Sequence, residues 1–180
     1  MRRVLPLAVT ALLALAGCGA DDPPSREVDL SRLEGAPAPL AKLHAQRNEL
    51  LDGGPDAFQA RIESLKGYPV VVNKWASWCG PCRQEFPYFQ EHSVRLGKRV
   101  AFLGVDSNDN DDAAREFLAK YPVSYPTYKD PSVKIAEVFK GQLAWPTTAF
   151  YDSKGKLAYV KQGAYLKEQD FVDDLKRYAR

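Results

Sequence analysis

The chain has 180 residues, with 25 Lys+Arg against 23 Asp+Glu, 45% hydrophobic residues and three cysteines, a length that suits one ordinary domain. Thirteen prolines and twelve glycines show no short period, which excludes collagen, coiled-coil and solenoid architectures. A net charge of +2 without a basic stripe excludes a nucleic-acid surface, and the apolar fraction excludes wholesale disorder.

Arg2 and Arg3 precede an apolar run from Val4 to Ala16, 13 residues long. A bilayer-spanning helix needs about 20, so residues 1–17 read as a secretory signal peptide. Leu15-Ala16-Gly17-Cys18 resembles the bacterial lipobox, which implies cleavage before Cys18 and lipidation of that cysteine. Multiple acyl chains give stable anchoring. Ordinary secretion after Ala14-Leu15-Ala16, with a free thiol at Cys18, is the alternative. Arg2-Arg3 lacks the rest of a twin-arginine motif. If Cys18 carries lipid, Cys79 and Cys82 are the cysteines left, and no disulfide framework can be built from them.

Residues 18–35, with Asp21, Asp22, Pro23 and Pro24, read as a flexible tether reaching roughly 20–25 Å. Residues 36–66 read as a helical extension. Leu40, Leu43, Arg47 and Leu50–Leu51 form a helix-like stripe that stops at Gly53-Gly54, and Phe58, Ile62 and Leu65 form a second that ends at Gly67. From residue 67 to 180 the pattern is that of a core. Val70-Val71-Val72 suits a strand buried on both faces. Cys82, Phe86, Phe89 and Leu96 then recur at helical spacing, broken by Pro87 and closed near Gly97. Val100 to Val105 is another strand, and Asp109–Asp112 can cap a helix bearing Ala113, Phe117 and Leu118. Asp130-Pro131 opens a further helix with Ile135 and Val138-Phe139. Thr147–Tyr151 and Leu157–Val160 are strands joined by the turn Asp152-Ser153-Lys154-Gly155. Phe171, Leu175 and Tyr178 mark a closing helix. Strands alternating with helices and ending in a hairpin predict an α/β sandwich around a central mixed sheet.

The chemistry is concentrated in Trp78-Cys79-Gly80-Pro81-Cys82, directly after a buried strand and at the start of a helix. Three-residue spacing on a first helical turn brings the two sulfurs to one side, within disulfide range. Unpaired N–H groups and the positive end of the helix dipole favour a thiolate at Cys79, lowering a thiol pKa from about 8.5 into a range of roughly 3.5–7.5. Cys79 is therefore the candidate exposed nucleophile and Cys82 the candidate resolving thiol. Half of a zinc site would use the same spacing, but His44 and His92 make no ligand pair. A structural disulfide would close too short a loop to restrict the unfolded chain much.

The run Asn73-Lys74-Trp75-Ala76-Ser77-Trp78-Cys79-Gly80-Pro81-Cys82-Arg83-Gln84-Glu85-Phe86-Pro87 resembles the TlpA/ResA branch of thioredoxin-like, membrane-anchored thiol–disulfide oxidoreductases. The resemblance covers about residues 66–180. It implies a thioredoxin-like fold, here with the helical N-terminal extension where related proteins carry a short β-hairpin. Trp78, Gly80, Pro81, Trp145 and Pro146 are then substrate-facing positions, with Pro146 matching the family's cis-proline. Pro87 matches the proline that kinks the active-site helix. Asn73 stands where thioredoxin has a buried Asp, and an amide cannot take and return a proton. Glu85 stands where the branch carries an acid near the thiols, and burial would raise its pKa toward neutrality for general acid/base work.

The resemblance further implies an extracytoplasmic, lipid-anchored oxidoreductase without organic cofactor or metal, its redox group being the Cys79–Cys82 pair. Its substrates would be protein disulfides, including those of apocytochromes c, and a membrane-embedded thiol transporter would supply electrons. A monomer is expected. A disulfide-introducing oxidase is the alternative within the class, and a tethered copper metallochaperone the alternative outside it; His92, ten residues past Cys82, argues against copper. Peroxiredoxin-like sites place a Thr ahead of the reactive Cys, where this chain has Ser77.

Overall fold

The computed structural model describes residues 29–180; the expected signal peptide, the expected lipid site Cys18 and the expected tether up to residue 28 lie outside them. Among the described residues no helix is long and apolar enough to cross a membrane. Six strands form one sheet: β1 (Leu50–Leu51), β2 (Val70–Trp75), β3 (Ala101–Ser107), β4 (Thr127–Asp130), β5 (Thr147–Tyr151) and β6 (Leu157–Gln162). Their order is β1-β4-β3-β2-β5-β6. The first four are mutually parallel, and β5 runs antiparallel between β2 and β6. Helices α1 (Ala38–Ala45), α2 (Gly54–Ser64), α3 (Gly80–Leu96), α4 (Asp111–Lys120), α5 (Lys134–Val138) and α6 (Glu168–Tyr178) cover the two faces.

Every residue of β2 and β3 is buried, as expected of parallel strands covered on both sides. Alternation along β2 divides the core. Val71 and Trp75 pack with Phe86, Phe89 and Phe171 from α3 and α6. Val70 and Val72 pack with Leu40, Phe58 and Ile135 from α1, α2 and α5. Pro87 lies inside α3 without ending it, contrary to the expected break. An internal proline costs a helix about 3 kcal/mol. Phe86 and Phe89, both fully buried, each contribute about 1.5–3 kcal/mol, which is enough to carry the helix through.

The N-terminal region differs from the sequence expectation in two places. Leu30–Leu33, assigned to the tether, form a 3-10 turn capped by Asp29. Leu50–Leu51, assigned to a helical stripe, are the edge strand β1, paired with β4. Asn48, at φ +61°, ends any helical continuation. Its N–H donates to Tyr125 O, and its Oδ1 accepts from Val123 N–H. Residues 36–66 thus hold two helices, as expected, with a strand between them. The turn before α5 also differs in detail. Asp130 caps the helix from a distance, its carboxylate accepting from Ile135 and Ala136 N–H.

Candidate active site

Because β2 and β3 are parallel, the loops that follow both of them meet at one end of the sheet. Cys79 is the N-cap of α3, and its Sγ accepts from Cys82 N–H at 3.1 Å. Pro81, within the first turn, has no N–H to leave unpaired. The two cysteines are joined as a disulfide, with Cα atoms 5.3 Å apart. Cys82 is fully buried and Cys79 is 3% exposed, so the nucleophile is less open than the sequence suggests. In the oxidised pair its sulfur is bonded to buried Cys82, and the neighbouring Trp78 is 52% exposed.

Behind the disulfide, one turn further along α3, Glu85 is fully buried. Asn73 Nδ2 donates to its Oε1 and Tyr165 N–H to its Oε2, both at 2.9 Å. Burial pushes the Glu85 carboxyl up to about 8, outweighing those two bonds and the attraction of Lys161. Asn73, facing the same side of β2 as Trp75, thus occupies the thioredoxin Asp position as a partner of the acid rather than as the acid.

The bond between Trp145 and Pro146 is cis, and Pro146 is buried. The indoles of Trp78 and Trp145 lie 5.7 Å apart. Three consecutive residues, the last of β3 and the two that follow it, hold this aromatic pair and the segment before Cys79. Ser107 O accepts from Trp145 Nε1, Asn108 O accepts from Trp78 Nε1, and Asp109 accepts from Ser77 N–H. Asn108 takes φ +57°, a left-handed conformation that Asn tolerates. Arg83 adds a bond to Ser77 O. On the opposite face of β2, buried Lys74 lies 3.3 Å from the centroid of Trp145 and donates to Gly141 O. Burial lowers its pKa to about 8, against the pull of Asp130. Asp106, buried on β3, is pushed up to about 8, first by burial and then by Asp109.

Residues 107–109, Lys74 and the Tyr165 N–H were not singled out from the sequence. Their partners lie 30 to 80 positions away, so no local pattern reveals them. Gly80 and Pro81 occupy the first turn of α3, as expected. Neither histidine reaches the site. His44 bonds Ser124 O and Gly97 O within the core. His92, about 15 Å along the helix from Cys82, contacts Glu168 through Nε2 and Arg95 through Nδ1. Glu91, His92 and Glu168 could supply three ligand atoms to an ion, but Arg95 occupies the second ring nitrogen. Ala76 stands three residues before Cys79, and Ser77 engages the site through its backbone, so the threonine of a peroxidase arrangement is missing.

A paired-cysteine turn at the start of a helix, a facing cis-proline and a mixed sheet between helical layers define a thioredoxin-like protein. The model of the AhpC/TSA family matches residues 34–160, and the chain belongs to that family. It is 32% identical over 109 residues to thiol-disulfide oxidoreductase ResA of Bacillus anthracis, covering 60% of this chain and 62% of that one. The chain therefore spans less than two thirds of that relative's length. Among solved structures, thiol:disulfide interchange protein DsbE from Chlorobium tepidum is 27% identical with a TM-score of 0.54, over 62% of this chain and 79% of that one. The exposed lipoprotein thioredoxin Etrx1 from Streptococcus pneumoniae is 26% identical with a TM-score of 0.54, over 64% and 89%.

Proposed function

We propose that this protein is an extracytoplasmic thiol–disulfide oxidoreductase, anchored by lipid at Cys18, that reduces disulfides in other proteins, apocytochromes c among them. The observation that carries the reading is the Cys79 sulfur seated at the start of α3, accepting from Cys82 N–H, with buried Glu85 one turn behind it. The names of ResA and DsbE support the chemistry, and the lipoprotein Etrx1 supports the anchor.

In the reduced enzyme the Cys79 thiolate attacks a substrate disulfide. A mixed disulfide forms, and one substrate sulfur leaves as thiolate and takes a proton from water. Cys82 then gives its proton to the Glu85 carboxylate and attacks Cys79 Sγ. The Cys79–Cys82 disulfide forms and the second substrate sulfur leaves. Two electrons have passed to the substrate, and the disulfide seen here is the product state. A donor dithiol reverses the sequence: its thiolate attacks Cys79, Cys82 leaves as thiolate and takes the proton from Glu85, and the donor's second thiolate then displaces Cys79, leaving the donor as a disulfide. A membrane thiol transporter is the proposed donor.

Equilibration of the pair in glutathione or dithiothreitol buffers tests the direction. A potential near thioredoxin's, about −270 mV, is expected. One near DsbA's, about −120 mV, would overturn reduction in favour of disulfide introduction. Iodoacetamide should label Cys79 at pH 6 faster than a simple peptide thiol, and equal rates would remove the activated nucleophile. Mass spectrometry of the mature N-terminus tests lipidation of Cys18.

A further inference from the structure

At the end of the sheet opposite the dithiol, where β2 begins after Pro69, a hollow of about 590 Å³ opens between α3 and α6. Its floor includes Val100, Leu175 and Ala179, and Arg99, Lys176 and Arg180 stand at its edge. No acidic side chain is among the described residues that line it, although Asp173 lies 3.5 Å from Lys176. The β5–β6 turn adjoins it through Ser153 N–H to Arg180 O and adds Lys154 and Lys156 to the same end. At the other end of the molecule Asp109, Asp111 and Asp112 follow β3, with Asp111 paired to Lys129. The six residues of β2 separate the two ends by about 20 Å.

The described chain also starts at the cationic end. Leu33, in the 3-10 turn, lies against Gly97 at the close of α3, beside the hollow's Leu96 and Arg99. From Cys18 to Asp29 is eleven residues, a contour of at most about 40 Å. A lipid on Cys18 would thus be joined to the domain at this end.

We propose that the hollow and its basic edge dock the domain on the surface of an anionic phospholipid bilayer, with the dithiol facing away. Acyl-chain and glycerol surface fits the apolar floor, and the headgroup phosphates face the arginines. The basic edge of the hollow favours that orientation over its reverse. The inference rests on the lipid-anchor reading for its proximity to a membrane.

The test is flotation of the full chain with vesicles of phosphatidylcholine alone and of an equal mixture of phosphatidylcholine and phosphatidylglycerol. The comparison chain carries Arg99→Ser, Lys176→Ser and Arg180→Ser, and both chains keep the same N-terminal segment. The anionic preference should fall roughly fivefold for each charge removed and should fall with added salt. Reduction of insulin should be unchanged. Hydrogen exchange on anionic vesicles should slow at residues 96–100 and 172–180. An undiminished preference in the triple variant, or protection confined to other segments, overturns the proposal. The N-terminal mass and the insulin assay are read on the same preparations, so failure of the anchor or of the redox reading appears there and failure of docking appears in the partition.

Discussion

Asn73 Nδ2 donates to Glu85 Oε1 at 2.9 Å, joining an amide on β2 to a carboxyl on α3 as one buried polar unit behind Cys82. An Asn in this place holds the acid without competing for its proton. The proton therefore belongs to Glu85 alone.

Replacing Glu85 with Gln removes that proton store. Thiol exchange should slow roughly 10²-fold, and the rate should lose its inflection near pH 8. Stability gives an independent sign. The Glu85 pKa is raised from 4.5 to about 8, chiefly by burial. Between those values the unfolded chain releases the proton while the folded chain retains it, so stability falls as pH rises across the window and levels off above it. Urea midpoints of Glu85→Gln should fall less from pH 5 to pH 8 than those of the parent. Equal slopes would place the proton elsewhere.

Asp109 accepts from Ser77 N–H and raises the pKa of Asp106. Asp109→Ala should change the Cys79 labelling rate about fivefold, the equivalent of one hydrogen bond of about 1 kcal/mol. Asp109→Asn, which keeps an acceptor, should restore it. Both variants remove a negative charge, so Asp106 should release its proton at lower pH in each. A labelling rate that Asp109→Ala leaves unaltered would show that the bond to Ser77 does not position the nucleophile.

Lys74 supports Trp145 from beneath and holds Gly141 O. Lys74→Met leaves that buried carbonyl without its donor, at a cost of about 1–3 kcal/mol. The cation below the indole titrates near pH 8 because burial depresses it. Tryptophan emission in the parent should therefore show a step near pH 8 that survives Glu85→Gln and vanishes in Lys74→Met. A step that survives both substitutions would exclude Lys74 as its source.

Gly104 on β3 lies between Asn73 of β2 and Thr127 of β4. A methyl group there would collide with Thr127 Oγ1 and lie 3.0 Å from Thr127 Cβ. Gly104→Ala should destabilise the domain by about 1–3 kcal/mol, seen as a lower urea midpoint with an unchanged slope. Pairing the substitution with Thr127→Ser removes the crowding methyl and should recover only part of the loss.

The dithiol turn was legible from local chemistry, and the cis-proline position and the buried acid were legible through the family resemblance. Strands β2, β3, β5 and β6 were legible from apolar runs and turn residues. Strand β4 was not: Thr127-Tyr128-Lys129-Asp130 alternates weakly and is held by parallel bonding to β3 and β1. Strand β1 was hidden because Leu50 and Leu51 continue the helical spacing, while the bonds that end the helix come from Val123 and Tyr125. Pro87 misled in the other direction, since packing of Phe86 and Phe89 outweighs one lost helical bond. In each case distant partners decided what local pattern left open.

Ser107, Asn108 and Asp109 have a consequence for how a substrate enters. One short stretch of backbone grips both lips of the cleft, so prising the two indole rings apart strains a common hinge. A molecule that displaces one indole therefore loads the backbone that holds the other.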